Sequence, residues 1–517
     1  MNFCYSKQSL APGEARLERI FEIIPGLASW TILAGMTVLS VWRPLWAAVI
    51  IIVFNLYWVL RLFYVTLFLV LSYLRLSAEA KTDWSKKIHD LGHATTEPFP
   101  PSPDQIVHLV IIPAVKETRQ ILEPGIKSLL QGKFSPKQIL VILAVEERAD
   151  PAVQRGAEEL KSSTQGKFFD FLVITHPDSL PGEARVKGAN ATYAAKQAAE
   201  YFQGRKIPFE NVIVSCFDAD TVASPDYFAC LTYAFMASAH RQRASFQPIP
   251  VYHNNIWEVP AFARVLEIGS SFFQLAEATY PEKLVTFSSH SMSFRALVDV
   301  GFWPVDMISD DSAIFWKAFI YFDGDYRVIP LYTTLSMDVA EGKNWRQTAV
   351  NIYKQKRRWA WGVENFPIVM RAFLKADRIS LRKKITHGFK LLEGHLAWST
   401  WAFLLTVVTW LPALLAHREF SSTVIYYSAP RITATIFRLA TLSLAATIVL
   451  SLSLLPKNQS RFSFGGNLIH ALEWLLVPVI AVFFSAMPAL DAQTRLMLGK
   501  PMEFWVTDKQ KKSKIAR

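Results

Sequence analysis

Two long apolar stretches open the chain. Ile23–Trp42 carries no charge, and after Arg43-Pro44 a second stretch runs from Leu45 to Leu74, interrupted by Asn55 and Arg61. About 20 apolar residues cross a bilayer, so the pair predicts a membrane hairpin. Its far half, beyond Arg61, is expected to bend along the interface with Trp58, Tyr64 and Tyr73 as anchors. Three more apolar stretches, 393–416, 432–455 and 468–489, are each long enough to span. Three crossings would leave the basic tail on the side opposite the central region, against the positive-inside bias. Either one of the three is therefore re-entrant or interfacial, or FSSTVIYYSAP (420–430) enters the membrane as well.

A charged, Pro-rich linker occupies 78–106. Beyond it the period changes: VHLVIIPA (107–114), ILVILAV (139–145), FFDFLVI (168–174) and VIVSC (212–216) read as buried strands. They alternate with helical patterns from Ile121, near 151–161 and at 188–203. That alternation predicts an α/β domain with a mostly parallel sheet built from βαβ units. Ligands of such sheets sit at the carboxyl ends of the strands. Pro113–Glu117, Glu146–Glu147 and Asp218–Asp220 all fall there.

The domain division that follows is a membrane hairpin with an interface segment over 1–80, an α/β domain over 81–375, and an interface helix, membrane helices and basic tail over 376–517. Composition agrees with a mixed chain: 51% of residues are hydrophobic. The net charge of +12 raises nucleic acid as a partner, but the basic residues gather beside the apolar spans, in 375–384 and 509–517. No aromatic-basic sheet motif of the RNA-binding kind is present, so the charge is expected to meet anionic membrane lipids and no nucleic acid. Cys4, Cys216 and Cys230 have neither metal-ligand nor disulfide spacing, which suits free thiols in a reducing compartment. Residues 1–22 lack the pattern of a removable signal peptide.

The candidate chemistry clusters around NVIVSCFDADT (211–221). Asp218 and Asp220, one residue apart at a strand end, point the same way and can face one hard cation, which would neutralise a diphosphate. Four further motifs follow a fixed order around them. Glu117 in PAVKE ends the first strand. Lys187, with Arg185, stands just before a helix whose amides, beside Gly188, can meet an anion. Asp310 and Asp311 in MISDDSAIFW suit a general base or, more plainly, a helix cap. Gln355, Arg358 and Trp359 in YKQKRRWAWG join a group that can fork over a diphosphate to an indole that can stack on a sugar. Lys354, Lys356 and Arg357 alone would make that last helix an amphipathic interface helix.

In this order, and with flanking membrane segments, the motifs resemble those of the membrane-integrated family 2 glycosyltransferases, the group of cellulose, chitin and hyaluronan synthases. PAVKE stands at the family's PxYNE-like strand end, FDADT at its DxD, SDD (309–311) looks like a variant of TED, and QKRRW (355–359) matches QxxRW. FSSHSMSFRALVDVGFWP (287–304) is similar to the segment ahead of the base. The resemblance covers 107–365 and implies a GT-A fold and inverting transfer from a nucleotide diphosphate sugar, UDP favoured, with Mg²⁺ or Mn²⁺. By the same resemblance Glu117, Lys187, Asp218, Asp220 and Arg358 would bind the donor, with the metal on Asp218 and Asp220. Asp311 would be the base, and Gln355 and Trp359 would hold the acceptor. The acceptor would be a polysaccharide or a lipid-linked sugar, reached from the cytoplasmic side of the plasma membrane, by processive or single addition. Two departures stand out: VEERAD (145–150) replaces Asp-Asp-Gly, leaving the nucleotide contact at Glu146 or Glu147 open, and Ser309-Asp310 replaces Thr-Glu. A scaffold with an inactive transferase domain would keep the sheet and lose these carboxylates and the arginine.

Overall fold

The computed structural model describes Tyr5 and residues 10–93, 102–415, 418–456 and 464–502. Cys4, the middle of the Pro-rich linker and the basic run 509–517 lie outside the described residues. Among the described residues, eight strands form one sheet. In chain order they are β1 (Val107–Ala114), β2 (Ile139–Glu146), β3 (Asp170–His176), β4 (Val212–Cys216), β5 (Val222–Ala223), β6 (Ala244–Val251), β7 (Ser291–Ser293) and β8 (Arg327–Ser336). Their spatial order is β3-β2-β1-β4-β7-β6-β8-β5.

The first four strands pair in parallel, as their continuous apolar runs predict. Both faces of this half are covered. Leu109, Ile111, Leu140 and Ile142 join a core with the helix Lys187–Gly204, while Val110, Ile112, Val141 and Leu143 join one with the helix Arg119–Gln131. Period-2 alternation inside an all-apolar strand sorts its side chains between two cores.

The sheet is more mixed than the apolar runs suggest. β7 enters antiparallel between β4 and β6, and β5 runs antiparallel to β8. β7 is the three-residue Ser-Met-Ser, and β6 contains Pro248 and Pro250 with a register shift at Pro248/Ile249. Neither has an apolar run that reads as a strand. The third strand starts two residues later than expected, at Asp170 opposite Leu140, because the Phe169 amide is already taken by the Pro136 and Ile139 carbonyls.

Among the described residues, four helices are long and apolar enough to cross a membrane: Pro12–Trp42, Pro44–Glu79, Val424–Leu454 and the composite Gly465–Met497. A fifth candidate, Leu381–Thr406 with Val408–Leu414, is bent by 43° at their junction. FSSTVIYYSAP is not an element of its own, since Val424–Pro430 forms the first turns of the helix Val424–Leu454. The expected bend after Arg61 is also absent. Pro44–Glu79 stays one helix, because Leu69 and Leu76 in its second half are buried against Ile249, Val251 and Ile268 of the α/β domain. The polar start of Pro12–Trp42 is fixed to the same domain by Glu18, which accepts from Arg371 Nε at 2.7 Å inside the protein.

One close approach positions the site. The helix Lys187–Gly204 meets the loop and helix that carry Asp310 at Gly188, where an added methyl would press on the Pro304 carbonyl and lie 2.9 Å from Asp310 Cβ. Gly188→Ala is expected to push these elements apart, lowering the unfolding temperature in detergent by the equivalent of roughly 1–3 kcal/mol and reducing activity. An unchanged unfolding temperature would show that the contact yields without cost.

Candidate active site

The carboxyl ends of the parallel strands open into a cleft. Glu117, Lys187, Asp218, Asp220, Asp311, Gln355, Arg358 and Trp359 all line it. Nine segments of chain supply this wall, from Pro113 to Gly362.

Asp218 and Asp220 lie in the turn after β4. Ser288 Oγ donates to Asp218 Oδ2, and the Asp338 amide donates to Asp220 Oδ2 at 2.9 Å. Ser289 joins the two halves of the turn: its Oγ accepts the Asp218 amide at 3.1 Å and pairs with Thr221 Oγ1 at 2.8 Å. Ser289 holds φ at 58°, a left-handed value that costs a non-glycine residue energy and persists where surrounding bonds demand it.

Lys187 connects the turn to the other acid of the cleft. Its Nζ lies 2.8 Å from Asp218 Oδ1 and 3.0 Å and 3.2 Å from the two oxygens of Asp311. Burial alone would lower this ammonium, but Asp218 and Asp311 win and hold it well above the ordinary lysine value. The absence of a side chain at Gly188 lets the Pro304 backbone approach. Arg185 is directed away, pairing with Asp178 at an exposed position.

Asp311 sits in the first turn of the helix Asp310–Tyr321, and Ser309 caps that helix without a side-chain bond to it. Thr286 Oγ1 donates to the Asp311 carbonyl at 2.6 Å. His290 is buried behind, its Nδ1 4.0 Å from Asp311 Oδ1 and 3.2 Å from the Phe287 carbonyl; burial lowers it to about 4. Asp310 turns inward instead. It is 3% exposed, and burial together with Asp311 pushes it up to about 8.

The helix Trp345–Ala360 carries Gln355, Arg358 and Trp359. Gln355 is buried, and its Oε1 has no hydrogen-bond partner among the described residues. Trp359 meets Phe287 edge-on at 5.5 Å and Tyr252 at 6.1 Å, which makes an aromatic wall. This is not an interface helix along its basic side. Lys356 is buried with its Nζ 2.8 Å from Glu267 and 3.7 Å from the Trp359 ring centre, and Arg357 pairs with Asp491 at 2.9 Å.

Glu117 Oε2 accepts the Val115 and Lys116 amides at 2.8 and 3.0 Å, so this carboxylate also shapes its own loop. Of the two glutamates left open by the sequence, Glu146 lines the cleft, beside Arg148; Glu147 Oε2 accepts the Asp178 amide. Sequence reading missed Ser288, Ser289, Thr286, Tyr252 and Asp338, which are recognisable only once β7 and β8 are in the sheet.

The structure is a mixed α/β sheet of GT-A type, with acids and a cationic helix around one cleft at its strand ends. Residues 213–454 match the family model described as glycosyl transferase family group 2, and this match supports a glycosyltransferase. The matched region takes in Asp218, Asp220, Asp311, Gln355, Arg358 and Trp359, while Glu117 and Lys187 precede it. Among solved structures, the mannosyltransferase PcManGT from Pyrobaculum calidifontis, in complex with GDP-Man and Mn²⁺, is similar at 14% identity, over 83% of this chain and 99% of that one, with a TM-score of 0.41. S. aureus TarS 1–349 in complex with UDP-GlcNAc is similar at 13% identity, over 76% and 93%, with a TM-score of 0.37. No curated protein matches the chain.

Asp310 makes stability depend on pH. The unfolded chain ionises it near 3.8, whereas the folded protein keeps its proton to about 8. Between those limits the folded state binds the extra proton, so this group's contribution to stability falls as pH rises. Asp310→Asn removes the effect. The unfolding temperature of the variant relative to the wild type should therefore climb from pH 5 to pH 8; a constant difference would mean that Asp310 does not titrate in this window.

Proposed function

We propose that the protein transfers a sugar with inversion from a nucleotide diphosphate sugar, UDP favoured, to a polysaccharide acceptor at the cytoplasmic face of the plasma membrane. The observation that carries this reading is the convergence of all eight sequence-predicted residues on one cleft. A scaffold that had lost turnover would have no reason to keep them together.

Asp311 is the base. It takes the proton of the acceptor hydroxyl as that oxygen bonds to the anomeric carbon from the side opposite the diphosphate, and the bond from that carbon to the diphosphate breaks with its electron pair. Arg358 lies against the diphosphate, where its planar fork matches phosphate oxygens. Glu117 is on the nucleotide side of the cleft, and Lys187 helps to hold the donor while keeping Asp218 and Asp311 at one distance from each other. Gln355 offers its buried, unpaired Oε1 to an acceptor hydroxyl, and Trp359 supplies an apolar face for the ring.

The donor set suits Mg²⁺ or Mn²⁺. Asp218 and Asp220 offer hard carboxylate oxygens on one turn, and among the described residues no group of three or more His, Cys, Asp or Glu could enclose an ion. Two carboxylates with the remaining positions left to phosphate and water is how such ions are commonly held at nucleotides. When bound, the ion offsets charge on the leaving diphosphate.

The membrane side of the reading rests on packing. Tyr252 belongs to the same buried cluster as Leu69, Leu76, Leu450 and Trp474 of the apolar helices, and Trp359 packs against it. The acceptor wall is thus built directly on these helices, which suits an acceptor or product held at the bilayer.

Release of free nucleoside diphosphate by detergent-purified protein, over UDP- and GDP-sugars with Mg²⁺ or Mn²⁺, tests the reaction. Metal-dependent release from one donor is expected, falling at least about 100-fold in Asp311→Asn. Equal release by wild type and variant would overturn Asp311 as base. Analysis of the sugar product then separates a polymer from a single addition to a lipid.

A further inference from the structure

Immediately after the arginine helix, Glu364 and Asn365 reach back to the helix that carries Asp311. Glu364 is 6% exposed, and its Oε1 accepts both the Ser309 amide at 3.0 Å and Ser309 Oγ at 2.7 Å. Its Oε2 accepts Trp361 Nε1 at 2.9 Å. Asn365, 1% exposed, donates through Nδ2 to Ser309 Oγ, Ser312 Oγ and the Gly362 carbonyl at 3.0–3.1 Å. Its Oδ1 accepts Tyr5 Oη at 3.1 Å. These bonds converge on the mouth of one helix.

That helix needs them. The first amides of an α-helix have no partners within it, and Ser309, in the capping position, makes no side-chain bond to the turn that follows. The Ser309 amide finds its acceptor 55 residues away in sequence. A buried carboxylate that takes three donors fixes direction as well as distance, because each bond constrains a different part of the carboxyl plane.

We infer that Glu364, supported by Asn365, is a positioning residue for transfer: through Ser309 it fixes the turn bearing Asp311 relative to the helix bearing Gln355, Arg358 and Trp359. The two substrates are handled by these two elements, the acceptor proton by one and the diphosphate and sugar ring by the other. A rigid link between them sets the base at attack distance whenever the cleft is filled. Glu364 does not line the cleft and touches neither substrate. This inference rests on the reading of Asp311 as base.

The test uses full-length protein in detergent and the UDP- or GDP-sugar that wild type turns over. Misplacing a reacting group by about 1 Å costs roughly 100-fold in rate, so Glu364→Ala is expected to lower kcat by about that factor while the KM for the donor and the affinity for free UDP or GDP move less than about twofold. Glu364→Gln, which keeps an acceptor for Ser309 but opposes Trp361 with an amide, should recover most of kcat. Ser309→Ala, which removes the hydroxyl that Glu364 accepts, should itself lower kcat, and in the Glu364→Ala background it should add little to the worse single variant, since both act on one contact. If Glu364→Ala does not fold, Ser309→Ala set against a near-wild-type Glu364→Gln carries the test. Unchanged kcat in folded Glu364→Ala or in Ser309→Ala, a rise in KM with kcat retained, or multiplicative losses in the double variant would overturn the inference. Wild type without turnover on any donor, or an active Asp311→Asn, would instead strike the underlying reading.

Discussion

The cleft depends on one ammonium group. Asp218, Asp220, Asp310, Asp311 and Asp338 all approach the same strand ends, and a rim so acidic would repel itself in the weakly polarisable surroundings of a buried site. Lys187, with a side chain only 11% exposed, stands between Asp218 and Asp311 and bonds to both. Its raised value is the net of two opposing effects, with burial pulling it down and the paired acids pulling it up further. Its place at the first turn of the helix Lys187–Gly204 adds the positive end of that helix to the same region, and Asp310, packed on Gly188, meets that end. Removing the cation would leave two carboxylates facing each other across a few ångströms.

The second constraint is how a run of three basic residues is divided. Lys356, Arg357 and Arg358 follow one another on a helix, so they point in three directions. Lys356 turns into the protein, where Glu267 meets it; neither side chain is more than 3% exposed. Arg357 turns to Asp491 on the last apolar helix. Only Arg358 faces the cleft. A buried pair such as Lys356 with Glu267 contributes little net stability against an apolar alternative, because desolvating both charges offsets their attraction. Its value is orientation. With two faces of the helix pinned, the third is aimed, and Trp359 is steadied by the ammonium beneath its ring.

Which parts of this were legible in the sequence follows from the range of the interactions. β1 to β4 are read from apolar runs because a parallel strand with both faces covered must be apolar throughout, and the chemistry at their ends is then placed by topology alone. The eight site residues were legible as short motifs because each needs only its own side chain and the end of its own element. The residues that orient them were not. Ser288, Ser289 and Thr286 precede a three-residue strand with no apolar signature, and Asp338 follows β8, whose neighbour is interrupted by prolines. Glu267 and Glu364 have ordinary sequence surroundings, and their roles arise from contacts 89 and 55 residues distant. The bend expected after Arg61 failed for a related reason: Leu69 and Leu76 are buried with strand and helix residues far along the chain, which no local pattern names.

Ser289 shows what the cleft requires of its backbone. A left-handed φ of 58° disfavours any residue with a Cβ, and glycine would adopt it without penalty. The serine is retained in a fully buried place, where its hydroxyl takes the Asp218 amide and meets Thr221. Glycine would relieve the conformational cost, of order 1 kcal/mol or more, and lose both bonds. The two carboxylates would keep Ser288, Lys187 and the Asp338 amide, but the hydroxyl that joins the Asp218 amide to Thr221 would be gone. Strain at Ser289 is therefore offset by order at Asp218 and Asp220. Charged groups fixed in direction before a ligand arrives need no reorganisation when charge shifts between them, and under the proposed transfer from a diphosphate this matters more than the last increment of fold stability.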